Sequence, residues 1–186
     1  MKQSITIRRA TLEDAMAIAI VQVSSWHTTY PGIVDQSYID GLSTDERAAA
    51  WSRRLGDSSD GPGIFVAERS VGELVGFISG GRIRMPELQF DAELYAIYLL
   101  AGQQRHGLGT QLVRAWAETA VDRGFRAAIV RVLAANSARA FYERLGAHLI
   151  KQTEVAIGGR FYPELWYGWN DLRTLIEDLR MPRARR

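Results

Sequence analysis

The sequence predicts an α/β fold in three layers, with helices on both faces of a mixed, mainly antiparallel central sheet. Three observations lead there. Two segments, "IFVAERSVGELVGFISGGRIR" and "HLIKQTEVAIGGRFYPELWYGW", read as β-hairpins that turn near Ser70-Val71-Gly72 and at Gly158-Gly159. One stretch, from "AELYAIYLL" to "FRAAIVRVLA", reads as strand–helix–strand. The whole order, β-α-α-β-β-β-α-β-α-β-β-α, contains no repeat, low-complexity segment or interdomain linker. Residues 1–180 are therefore expected to form one domain, followed by a basic tail at 181–186.

Each element has a local cause. "SITIRRA" alternates apolar and polar residues and reads as the first strand. "TLEDAMAIAIVQVSSWHTTY" is helical: Thr11 is its expected N-cap, Glu13 and Asp14 favour the positive end of the dipole, and Pro31-Gly32 ends it. "TDERAAAWSRRL" is a second helix with Thr44 as expected cap, and "GDSSDGPG" is a loop. After the first hairpin, "AELYAIYLL" is rich in aromatic and branched residues and reads as a buried central strand. The next helix runs to about Asp122 and carries an apolar stripe of Leu108, Leu112, Trp116 and Ala120. "FRAAIVRVLA" is another buried strand. "NSARAFYERLG" is a short helix with Asn136 as expected cap and Gly146 as stop. "DLRTLIEDLR" closes the chain as an amphipathic helix.

Composition excludes several functions. The net charge is +2, yet Arg183, Arg185 and Arg186 lie in the terminal "MPRARR", so the rest of the chain carries −1. That is no footprint for nucleic acid, which needs many clustered phosphate contacts. Without cysteine there is no disulfide, thiolate metal site or cysteine nucleophile. His27, His106 and His148 lack metal-ligand spacing, so no metal is expected. No Gly-x-Ser-x-Gly elbow supports a serine hydrolase. The start, "MKQSITIRRATLED", has no apolar signal region, and no run is long enough to span a membrane. A cytoplasmic location without a membrane partner is the expectation.

The stretch "LLAGQQRHGLGTQLVRAW" is the most informative. An apolar strand enters a loop with two glycines, and a helix begins there without Ser, Thr, Asp or Asn to cap it. Such a start leaves backbone N–H groups and a partial positive charge free, and these together bind phosphate. A lysine-bearing phosphate loop is ruled out, because Thr110 follows Gly109. The dinucleotide fingerprint is ruled out as well, because Leu112 stands where a third glycine belongs. Gln104-Arg105-His106-Gly107-Leu108-Gly109 instead fits Gln/Arg-x-x-Gly-x-Gly/Ala. In this the segment resembles the acetyl-CoA pyrophosphate loop of the GNAT family, the Gcn5-related N-acetyltransferases. "ELYAIYLL" before it and "NSARAFYERLGA" after it resemble the family's fourth strand and its Asn-…-Phe-Tyr-Glu-x-Leu-Gly segment, at the usual distances. The resemblance spans the chain and is most specific from Glu93 to Gly146.

The resemblance implies a GNAT-like fold, acetyl-CoA as co-substrate, and transfer of acetyl to a primary amine of a small molecule or peptide by direct attack in a ternary complex. It also allows a homodimer. It implies backbone contacts to the pantetheine arm from Ile97, Tyr98 and Leu99. The N–H groups of Arg105, His106, Gly107, Leu108, Gly109 and Thr110, with Gln104 beside them, would cradle the pyrophosphate. Asn136 would touch the coenzyme arm, or else serve only as a helix cap. Tyr142 would stand near the sulfur as general acid, or else be an aromatic core residue. Glu93 would be the base, directly or through water, helped by a carboxyl raised through burial; otherwise it is a strand-end surface residue. The acceptor wall would draw on Trp26, Tyr30 and Tyr162, with His27 and Trp166 as further candidates. The alternatives are a coenzyme-A-binding sensor or regulator on the same fold, and an interaction protein that pairs through its last hairpin.

Overall fold

The computed structural model describes residues 4–57, 61–85 and 89–181. The basic tail from 182 onward and part of the expected "GDSSDGPG" loop lie outside the described residues.

Strand β1 (Thr6–Arg9) leads through a short 3-10 turn (Leu12–Asp14) into α1 (Ala15–Thr29). Here Asp14, three residues after Thr11, accepts the Thr11 N–H at 2.7 Å, so the entry to α1 is a reciprocal cap. Helices α2 (Gln36–Asp40) and α3 (Thr44–Gly56) follow. The sequence did not announce α2, a single turn started by the Asp35 carboxylate accepting the Ser37 N–H. The cap of α3 is Ser43 rather than Thr44: its Oγ accepts the Glu46 N–H at 3.2 Å. Strands β2 (Gly63–Ser70) and β3 (Glu73–Arg82) form the first hairpin, and β4 (Ala92–Leu99) follows. Then come α4 (Leu108–Asp122), β5 (Ala128–Leu133), α5 (Arg139–Arg144), the hairpin β6 (His148–Ile157) and β7 (Arg160–Trp169), and α6 (Leu172–Arg180).

The sheet has seven strands in the order β1-β2-β3-β4-β5-β7-β6, and all pairs are antiparallel except β4–β5. Helices α4 and α6 cover one face. Their apolar stripe, with Leu112 and Trp116 fully buried, meets the inward side chains of β2 to β5 and β7. Helices α1 and α3 cover the other face over β2 and β3, through Ile18, Ala19, Trp51 and Phe77. This is the three-layer α/β arrangement with a mixed sheet. A third, aromatic cluster gathers Trp26, Tyr30 and Tyr38 with Leu133, Val155 and Tyr162 on the side of α1. It stands beside the middle of the sheet, where two strands part.

Candidate active site

Strands β4 and β5 pair only from Ala92–Ala128 to Leu94–Val130. Beyond that point β4 runs on to Leu99 and β5 to Leu133 without each other. The divergence starts at a bulge: the register against β3 shifts between Ser79 and Gly80, which leaves Tyr95 as the extra residue on β4. Tyr95 is held there. Its hydroxyl donates to the Arg82 carbonyl at 2.6 Å, and the Arg84 guanidinium lies 4.6 Å from its ring centre. The gap widens into a cleft of about 970 Å³, lined on either side by β4 and β5.

Ladder geometry decides what β4 offers this cleft. The Leu100 N–H donates to the Val75 carbonyl at 3.0 Å. Antiparallel alternation then turns the Tyr98 backbone toward β3 as well, and turns Ile97 and Leu99 toward the gap. Ser25 Oγ and Gln104 Nε2 both donate to the Leu99 carbonyl, at 3.4 and 3.2 Å. Of the three residues expected to offer backbone, Ile97 and Leu99 face the gap. Tyr98 is a correction: its backbone belongs to the β3 ladder, and its side chain lines the cleft.

The loop after β4 contains a 3-10 turn (Ala101–Gln103) and Arg105 at φ 63°, a left-handed conformation that a residue with a Cβ adopts at a cost. Gly107 stands at the start of α4 with φ 80° and no side-chain cap. Among the described residues, the N–H groups of Gly107, Leu108, Gly109 and Thr110 donate to no backbone carbonyl; Gln111 is the first to do so, to Gly107 at 3.1 Å. Here four donors and the positive end of a 15-residue helix converge. Gln104, Arg105, Gly107, Gly109 and Thr110 line the cleft. The Leu108 side chain is turned into the core, and His106 is exposed and does not line the cleft. A Cβ on Gly109 would stand 3.2 Å from the Phe141 ring and 3.6 Å from Leu99, so α4 begins in close packing against α5 and β4.

Helix α5 carries Tyr142, which is buried beside Phe141 and Trp169 and lines the cleft. Burial pushes its phenol well above the usual tyrosine range, with Tyr30 adding to the shift. Asn136 does not cap α5, whose flanking residue is Ala138. Its Oδ1 accepts the Ala138 N–H at 2.9 Å in the turn before the helix, and its Nδ2 donates to Tyr30 Oη at 3.4 Å. Trp26 Nε1 in turn donates to Tyr98 Oη at 3.0 Å, and the Trp26 and Tyr30 rings lie 4.3 Å apart. Trp26 and Tyr30 therefore share one wall of the cleft. Tyr162 packs in the same aromatic cluster, but its hydroxyl accepts the Asp35 N–H at 3.0 Å and it does not line the cleft. His27 is exposed, and Trp166 lies under Arg131 and Lys151, also outside the cleft lining.

Glu93 requires a second correction. It is buried at 1 % exposure and is no surface residue, yet its carboxyl is not raised. Burial pushes it up, but hydrogen bonds from Arg84 and the charges of Arg84 and Arg131 outweigh burial and leave it below the usual carboxylate range. Arg84 donates from its backbone, Nε and Nη2, and Arg131 from Nε at 3.0 Å. The carboxylate that does line the cleft is Glu164 on β7, which the reading of the sequence passed over. Its signal was a lone acid in the apolar strand "RFYPELWYGW".

Two strands that part beside an uncapped, glycine-bearing helix start suit an enzyme that uses an acyl-coenzyme A, and comparison with known proteins gives the family. Residues 22–147 match the family model described as acetyltransferase (GNAT) family. The protein named uncharacterized N-acetyltransferase YuaI, from Bacillus subtilis (strain 168), is 38 % identical over 172 residues, covering 92 % of this chain and 96 % of the relative. The chain belongs to the GNAT acetyltransferase family. Among solved structures, PaiA N-acetyltransferase from Thermoplasma acidophilum in complex with coenzyme A is 25 % identical with a TM-score of 0.65, over 87 % of this chain and 98 % of that one. The putative acetyltransferase YncA from Salmonella typhimurium, with acetyl-CoA, is 21 % identical with the same TM-score of 0.65, over 98 % of both chains, and shares the fold. The chain is accordingly an acetyl-CoA-dependent acetyltransferase. Residues of this structure suit that co-substrate: the uncapped N–H groups of Gly107 to Thr110 fit a pyrophosphate, and the open edge of β4 fits an extended, amide-bearing arm.

Proposed function

We propose that the protein moves an acetyl group from acetyl-CoA to a primary amine by direct attack within a ternary complex. The observation that carries this reading is the split between β4 and β5, which opens onto the uncapped start of α4 at one end and onto Trp26 and Tyr30 at the other. The pyrophosphate lies against the N–H groups from Arg105 to Thr110, and the pantetheine arm runs along Ile97 and Leu99. The thioester then comes to rest near Tyr142, and the amine approaches from the aromatic wall. Asn136, held by Tyr30 and the Ala138 N–H, fixes the turn that presents Tyr142. A chain without cysteine has no thiol to carry the acetyl group, which supports direct transfer.

Tyr142 acts in this reading as a hydrogen-bond donor to the departing sulfur. A phenol pushed far above its usual range holds its proton more tightly than a thiol, whose ordinary pKa is about 8.5, so full transfer would run uphill. Glu93 anchors Arg84 and Arg131 and leaves the acceptor's proton to another group. The test is release of free thiol from acetyl-CoA across polyamines, amino acids, aminoglycosides and peptides with free N-termini. Release above the acceptor-free rate is expected for at least one class. Acetyl-CoA binding with no release on any amine would overturn the reading in favour of a sensor.

A further inference from the structure

Glu164 is the only acidic side chain that lines the cleft, among the described residues. Strand register sets it opposite Leu133, at the end of β5 that has left β4. Leu133 itself packs in the aromatic cluster with Trp26, Tyr30 and Tyr98. The carboxylate is thus on the side from which an acceptor would approach. Its Oε2 is fixed: it accepts from Trp166 Nε1 at 3.0 Å and Thr153 Oγ1 at 3.3 Å, with Arg131 Nη1 at 3.7 Å. Its Oε1 has no hydrogen-bond partner among the described residues, and the residue lines the cleft. Arg131 is shared, because its Nε is committed to Glu93. One oxygen of this carboxylate is therefore clamped and the other has no partner among the described residues, beside Arg131, which is drawn to Glu93, and close to the aromatic cluster, a partly desolvated setting in which a charge-assisted hydrogen bond to an ammonium is strong.

We infer that Glu164 is a catalytic residue, the group that binds the acceptor's ammonium and takes its proton. This rests on the amine-acetylation reading above. The ammonium gives one proton to Glu164 Oε1, directly or through one water. The freed electron pair attacks the thioester carbon, the C–N bond forms, and the C–S bond breaks with its pair left on sulfur. The nitrogen's second proton ends on that thiolate, and Glu164 returns its own to water. Amide, free thiol and one proton are the products.

The experiment compares wild-type protein with Glu164→Gln and Glu164→Asp. It uses the amine of the panel above that gives the highest rate, with acetyl-CoA affinity measured by calorimetry. Glu164→Gln is expected to lower kcat/KM for the amine about 100-fold or more, the lower range for a lost general base. Its acetyl-CoA affinity should stay within about two-fold. Glu164→Asp keeps the charge with a shorter reach and should recover part of the rate. Glu164→Gln within two-fold of wild type in kcat/KM for the amine would overturn the role of Glu164 and leave amine acetylation standing. Wild-type protein that binds acetyl-CoA but is silent on every amine would overturn both.

Discussion

Tyr142 shows how one side chain's environment selects among roles that its residue type leaves open. A tyrosine on a short helix reads equally as core packing or as chemistry. The structure satisfies the conditions for either, because Tyr142 is buried and also lines the cleft. In the proposed reaction burial then sets its part: a phenol this hard to ionise keeps its proton and can only donate a hydrogen bond. Tyr142→Phe keeps the ring and its contacts with Phe141 and Trp169, and removes only the hydroxyl. It is expected to lower kcat about 10- to 100-fold, since a charge-assisted hydrogen bond contributes roughly 1.5–3 kcal/mol. Calorimetry should show acetyl-CoA affinity unchanged. A kcat equal to wild type would leave Tyr142 with packing alone.

At the scale of elements, what could be read from the sequence is what local chemistry dictates. The two hairpins turn where glycines with positive φ allow it, and Asp171 caps α6 as a side chain of its type should. Helix α2 escaped notice because five residues carry too little periodicity. Asn136, expected as the cap of α5, is not one, because the helix begins only after Ala138, and its amide instead reaches Tyr30, distant in sequence and close only in the fold. The start of α4 was legible for the opposite reason: a helix that begins on glycines with nothing to cap it is a local anomaly. The structure adds a cause that no pattern carries, since Gly109 is also the contact point between α4 and α5. Gly109→Ala asks the Phe141 ring to yield a few tenths of an ångström, and should still bind acetyl-CoA. Gly109→Glu drives a longer, charged side chain into Phe141 and Leu99 and should abolish that binding, while also lowering thermal stability. Retained affinity in Gly109→Glu would separate the loop from the pyrophosphate.

Across the whole molecule, the sheet is open at one end of the β4–β5 pair and must be held shut at the other. Arg84 after β3, Glu93 on β4, Arg131 on β5 and Glu164 on β7 form a charged chain across neighbouring strands, and Glu93 sits within the short stretch where β4 and β5 still pair. The sequence could not show this, since the four residues come from separate segments and only the strand order makes them neighbours. Removing the central carboxylate leaves two arginines facing each other. Glu93→Gln should therefore lower stability at neutral pH, by less than the ~3–5 kcal/mol typical of a broken buried pair, because Arg84 is half exposed. The pH dependence fixes the cause. Glu93 is held below its usual range in the folded state, so its contribution is complete above the unfolded carboxylate value of about 4.3 and fades as pH falls through the folded one. Wild type and Glu93→Gln should thus differ in melting temperature at pH 7 and converge toward pH 3. Other carboxylates, such as Asp14 beside Arg8, titrate in both proteins and cancel in the difference. A gap of constant size from pH 7 to pH 3 would mean that the side chain's shape, and not its charge, holds the closed end of the split.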